Sequence, residues 1–139
     1  MLASSLMESI PGSIRVIRKY ANESLAGDIT LQQFRTMKLV TEGYGPSLIA
    51  ETLSVSLAAV SKMLSSLENK KFLTKTPGAD RREQVLKLTP QGKKIVSQVR
   101  KHVEKKLDAG ISRLTAEEQK TLLNGLEVLN KLMSMLKEG

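Results

Sequence analysis

One short stretch decides what this chain can fold into. Phe72-Leu73-Thr74-Lys75-Thr76 and Gln84-Val85-Leu86-Lys87-Leu88 read as two strands, and Pro77-Gly78-Ala79-Asp80-Arg81-Arg82-Glu83 between them reads as a turn. Elsewhere the apolar residues recur every three or four positions, the stripe of a helix face. One hairpin in an otherwise helical chain predicts a mainly α fold with a small β-hairpin wing (α+β). Aromatics are only 3% of the residues and Trp is absent, so the core must be aliphatic, which suits helix packing.

The order of elements follows from caps and breakers. Ser9-Ile10-Pro11 opens a first helix with Ile10, Ile14, Ile17, Ala21 and Leu25 on one face, and Gly27-Asp28 ends it. Thr30 and Gln33 form a capping box for a second helix that runs to Gly43, and Gly43-Tyr44-Gly45-Pro46 is a turn. A short helix spans Ser47 to Leu53. After Ser54-Val55, Ser56 caps a fourth helix, Leu57 to about Lys70, with Val60, Met63, Leu64 and Leu67 facing inward. Two helices joined by so few residues make a helix-turn-helix, and a hairpin directly after the second is a wing. Thr89-Pro90 starts a long helix striped by Ile95, Val99, Val103, Leu107 and Ile111. Thr115 and Glu118 box a last one, striped by Leu122, Leu126, Leu129, Met133 and Leu136.

Charge is placed as unevenly as the strands. The formal net charge is +8, yet residues 1–55 are neutral and residues 107–139 carry −1, leaving thirteen basic and four acidic residues, net +9, between Ser56 and Lys106. A localised basic excess is the footprint of a polyanion-binding surface. No stretch reaches the roughly 18 apolar residues of a membrane span and the first eight residues hold no basic n-region, so a cytoplasmic protein with no membrane partner is expected.

Catalysis has little to draw on. There is no cysteine, which excludes a thiolate metal site, a disulfide scaffold and a thiol switch. The one histidine, His102, reads as a surface residue of the long basic helix, and Glu117-Glu118 sit where a helix N-terminus favours negative charge. No catalytic residue, metal site or cofactor is expected, and the chain is not read as an enzyme.

The outward face of the fourth helix is small, hydroxylated and positive. A helix fits the major groove of B-DNA, and Ser56, Ala58, Ala59, Ser61, Lys62 and Ser65 are the residues such a helix would present. Lys62 can donate to guanine or phosphate, and an alanine can meet a thymine methyl. Arg81 and Arg82 at the hairpin tip suit the minor groove, where negative potential concentrates, or else Arg82 pairs with Asp80 and braces the turn.

Asp80-Arg81-Arg82, followed by Leu88-Thr89 and Gly92, resembles the wing signature of the MarR family of winged helix-turn-helix transcription regulators. Upstream, Ile49-Ala50, Leu53, Ser56, Val60-Ser61-Lys62 and Leu67-Glu68 resemble its helix-turn-helix, and the flanking helices match in number and order. The resemblance implies a winged helix-turn-helix at 29–89, flanked by dimerisation helices at 1–28 and 90–139. It also implies a homodimer on a pseudo-palindromic operator of double-stranded DNA, a repressor released by a small-molecule effector. Ser56 to Lys62 would enter the major groove, Arg82 the minor groove, and Asp80 would hold Arg82; Lys75 and Arg81 join the wing's DNA-binding set. Three residues depart from the pattern: Lys71 and Ser54 stand where glycine is usual, and Lys75 replaces a frequent arginine. The apolar stripes of the last two helices independently favour a dimer, since they exceed what a small winged domain buries. The competing reading is a winged-helix module that uses its basic face for an acidic protein partner.

Overall fold

Three of the helices end in the same way. In the computed structural model, which describes residues 1–25, 27, 29–80 and 83–138, the second helix closes with Gly43 N–H on the Val40 carbonyl and Tyr44 N–H on the Leu39 carbonyl. The third closes with Ser54 on Glu51 and Val55 on Ala50, the fourth with Lys71 on Glu68 and Phe72 on Leu67. This double closure needs a left-handed residue after the helix, and the φ values are +87° at Gly43, +56° at Ser54 and +65° at Lys71. Only Gly43 takes that conformation without a steric cost; Ser54 and Lys71 are held in it by the two bonds and the packing behind them.

The elements are α1 (Leu2–Ser24), α2 (Leu31–Thr41), α3 (Pro46–Leu53), α4 (Leu57–Asn69), β1 (Leu73–Pro77), β2 (Gln84–Leu88), α5 (Pro90–Ile111) and α6 (Ala116–Glu138). Both expected capping boxes are present. Thr30 Oγ1 accepts from Gln33 N–H at 3.0 Å while Gln33 Oε1 accepts from Thr30 N–H at 3.1 Å. Thr115 and Glu118 repeat the pattern at 3.1 and 3.0 Å.

Some boundaries differ from expectation for physical reasons. The first helix starts at Leu2, not at Ser9, and carries Pro11 inside it. The stripe extends upstream through Leu6, and Met7, whose carbonyl loses its donor at Pro11, is exposed to water. Pro46 rather than Ser47 begins α3, since a first-turn residue needs no N–H. The first strand is shifted by one residue, because Phe72 is spent closing α4 and Pro77 pairs with Gln84 at the turn end of the hairpin.

The chain forms two compact units, Met1–Val103 and Glu104–Gly139. In the first, Met37, Ile49, Val60, Leu64, Leu67, Leu73 and Leu88 form an aliphatic core, and Ala21, Ile29, Phe34 and Val99 form a second cluster. Helices α3 and α4 meet at 113°, within the angle range of a helix-turn-helix pair. In the second unit no residue of α6 is buried. No single helix among the described residues is long and apolar enough to cross a membrane.

Candidate nucleic-acid interface

The start of α4 is built to face outward. Ser56 Oγ accepts from Ala59 N–H at 3.0 Å, so the first turn is capped. Val60, Leu64 and Leu67 are buried, and the helical repeat then places Ser56, Ala58, Ser61, Lys62 and Ser65 in solvent. Ala59 is half-buried. Ser66, which the sequence leaves off the inner face, is half-buried and its hydroxyl accepts from Gln33 Nε2 at 3.4 Å, linking the α2 cap to α4.

The hairpin pairs antiparallel with Leu73 opposite Leu88 and Lys75 opposite Leu86. Its tip is narrowed by Gly78 N–H on the Glu83 carbonyl and Glu83 N–H on the Asp80 carbonyl, both at 2.9 Å. A Cβ on Gly78 would lie 2.8 Å from Glu83 Cβ, so glycine permits this close turn. Asp80 is exposed at the tip. Arg81 and Arg82, the expected minor-groove residues, lie outside the described residues.

The root of the wing is locked by one hydroxyl. Thr89 Oγ1 donates to the Lys71 carbonyl at 2.7 Å and accepts from Gly92 N–H at 3.1 Å, while Thr89 N–H donates to the Phe72 carbonyl at 3.0 Å. Gly92 is buried against that same carbonyl, and a Cβ there would stand 2.2 Å from the Phe72 oxygen. The Leu-Thr and Gly of the sequence signature are therefore the joint between α4, the wing and α5. The sequence alone shows Thr89 as a helix cap; its second partner, eighteen residues upstream, leaves no local signal.

Between α3, the start of α4 and β2 lies a cleft of about 720 Å³, lined among others by Ser47, Leu48, Leu57, Ser61, Gln84 and Val85. Leu48 and Leu57 are about half exposed, apolar residues on the outward surface that the helical stripe alone does not single out. A second groove, of about 270 Å³, runs between α1 and α2 and is lined by Ile17, Ala21, Phe34 and Leu39 with Arg18, Arg35 and Lys38. Burial, and then the nearby Arg18 charge, lower the Arg35 pKa from its usual range.

His102, expected on an exposed face, is half-buried. Its Nε2 lies 3.5 Å from Glu23 Oε2 on α1, an ion-pair distance without hydrogen-bond geometry. Among the described residues no three His, Asp or Glu side chains gather as a metal site.

No family model and no curated protein matches the sequence. Solved structures do. Transcriptional regulator Tm0710 from Thermotoga maritima superposes with a TM-score of 0.79 at 22% identity, over 98% of this chain and 99% of that one. Wild-type MarR from E. coli superposes at 0.73 with 29% identity, over 89% of this chain and 95% of its own. A point mutant of E. coli MarR complexed with operator DNA superposes at 0.60 with 29% identity, over 89% and 92%. Tm0710 and, likewise similar, MepR from Staphylococcus aureus are both named as transcription regulators. A capped outward helix at 113° to its partner, a wing locked to it at Thr89, and this likeness across nearly the whole chain give the protein the winged-helix fold of the MarR-type regulators it is similar to.

Proposed function

We propose that the chain is a dimeric, sequence-specific double-stranded DNA-binding repressor that occludes a pseudo-palindromic operator and is released by a small-molecule effector. The observation that carries this reading is the outward face of α4: capped by Ser56, exposing Ser61 and Lys62, and flanked by the wing. A helix N-terminus favours a phosphate, and Lys62 and Ser61 suit base edges. The operator-bound structure of the related MarR mutant supports it.

On this reading residues 29–89 bind DNA and residues 1–28 and 90–139 serve dimerisation. Leu122, Leu123, Leu126 and Leu136 on α6, and Ile14 and Ile17 on α1, are more than one-third exposed, apolar positions that a second copy would cover. A two-fold dimer then sets its recognition helices about 34 Å apart, one turn of DNA. The apolar α1–α2 groove with Arg18, Arg35 and Lys38 suits an effector that is a small apolar anion.

The test is an anisotropy titration against genomic fragments, including the DNA upstream of the protein's own gene, at several salt concentrations. Sequence-specific binding with a slope near −0.9 per phosphate neutralised is expected. Lys62→Glu should weaken it by about tenfold or more. Absence of binding at low salt, or equal affinity for random duplex, refutes the reading and favours the acidic-protein partner.

A further inference from the structure

We infer that Lys75 and Ser65 do not contact DNA but form a strut that sets the angle between wing and recognition helix, with Lys75 as the positioning residue. The inference rests on the DNA-binding reading above for its functional meaning and on the wing's own geometry for its structure.

Strand alternation comes first. Leu73 is buried, and residues two apart in a strand share a face, so Lys75 stands half-buried on the side of β1 that Leu73 also occupies. In the ladder it is opposite Leu86, which is itself half-buried. The Lys75 side chain keeps only 19% of its surface exposed, little for a residue that is normally solvated.

The helix supplies partners at the matching spacing. Ser65 and Glu68, three apart on α4, lie on one helical face. Lys75 Nζ donates to Ser65 Oγ at 3.0 Å and lies 3.8 Å from Glu68 Oε1. A phosphate would have to draw the ammonium away from both. Since Ser65 Oγ is engaged by the wing, it too has a task other than base reading.

The strut completes the joint. The wing leaves α4 through Lys71, whose backbone is closed onto the helix, and its far end is held by Thr89. Those ties fix the root alone. Lys75 lies four residues further along, where a small rotation at the root is amplified toward the tip. Helix and wing then meet DNA as one rigid body, and less ordering entropy opposes binding.

The experiment uses the full chain and a labelled duplex enriched by the wild-type protein from a random library. Lys75→Met keeps the apolar stem and removes the charge, and Ser65→Ala removes only the acceptor. Each should weaken binding by about tenfold, and the double variant by no more than either alone, because both remove one coupling. The decisive readout is salt dependence. A lost phosphate contact makes the slope about 0.9 shallower, whereas a lost strut leaves it unchanged. A shallower slope in Lys75→Met, additive losses, or wild-type affinity in both variants overturns the proposal. Amide exchange without DNA separates this from the reading beneath it. If the wild type binds no duplex, that reading has failed, yet β1 and β2 amides in Lys75→Met should still exchange about tenfold faster, and unchanged exchange overturns the strut.

Discussion

Replacing Gly92 by alanine sets two effects against each other, and the structure says which wins. Helix propensity alone favours the change, since alanine in place of a helical glycine is worth up to about 1 kcal/mol. The added Cβ, however, would stand 2.2 Å from the Phe72 carbonyl oxygen and 3.1 Å from its carbon. Carbon–oxygen contacts normally close to about 3.3 Å, so some backbone must move by about 1 Å. The obstacle is not a flexible side-chain end. Phe72 O is held by Thr89 N–H, and Phe72 N–H closes α4 on Leu67. Overpacking costs about 1–3 kcal/mol and a lost backbone hydrogen bond about 1 more, which exceeds the propensity gain. Gly92→Ala should therefore destabilise by about 2 kcal/mol. At fixed protein concentration the urea midpoint, followed by circular dichroism, should fall by about 1 M with its slope unchanged. Gly125→Ala is the control, because a Cβ there meets nothing within 4 Å and only the propensity gain remains. If Gly92→Ala matches that control, the joint between α5 and the wing is not a rigid contact.

Three further outcomes concern other parts of the molecule. Lys71→Gly should stabilise by about 0.5–1 kcal/mol in the same urea assay, since relief of the left-handed strain at φ +65° exceeds glycine's extra freedom in the unfolded chain; Lys71→Ala should change little. Leu126→Glu places a charge in the apolar stripe of α6 and should turn a dimer into a monomer by sedimentation equilibrium; a wild type that is already monomeric, or a variant that stays dimeric, refutes this. A small aromatic carboxylate at a hundredfold excess over its dissociation constant should add about 2.7 kcal/mol to stability; Arg35→Gln should reduce that gain, and an undiminished gain would remove Arg35 from the effector site.

Features written within four residues of one another were legible in the sequence. Both capping boxes, the Ser56 cap and the break after α2 at Gly43 formed as their residues predict, because each is satisfied locally. Lys71, standing where the resemblance expects glycine, had either to take a left-handed cap or to end α4 differently, and it takes the left-handed conformation. The distant pairings were not legible. Thr89 to Lys71, Gln33 to Ser66 and His102 to Glu23 join residues far apart in the chain, and nothing in the local pattern of either partner names the other. Lys75 is the instructive middle case. Its alternation with Leu73 was on view, but a lysine in a basic region reads as surface until the burial of Leu73 decides which face of the strand is inward.

The hairpin register carries a consequence for how such a wing can vary. Root and tip are separately closed: Thr89 holds one end, and Gly78 with Glu83 holds the other. Residues inserted between Gly78 and Glu83 lengthen the tip and leave every ladder pair, and the side on which Lys75 stands, as they are. One residue inserted between Leu73 and Lys75 turns the lysine to solvent and breaks the register below it. The reach of the wing is thus free to change in length and sequence without touching the core, while its direction is tied to residues that cannot move without refolding the joint.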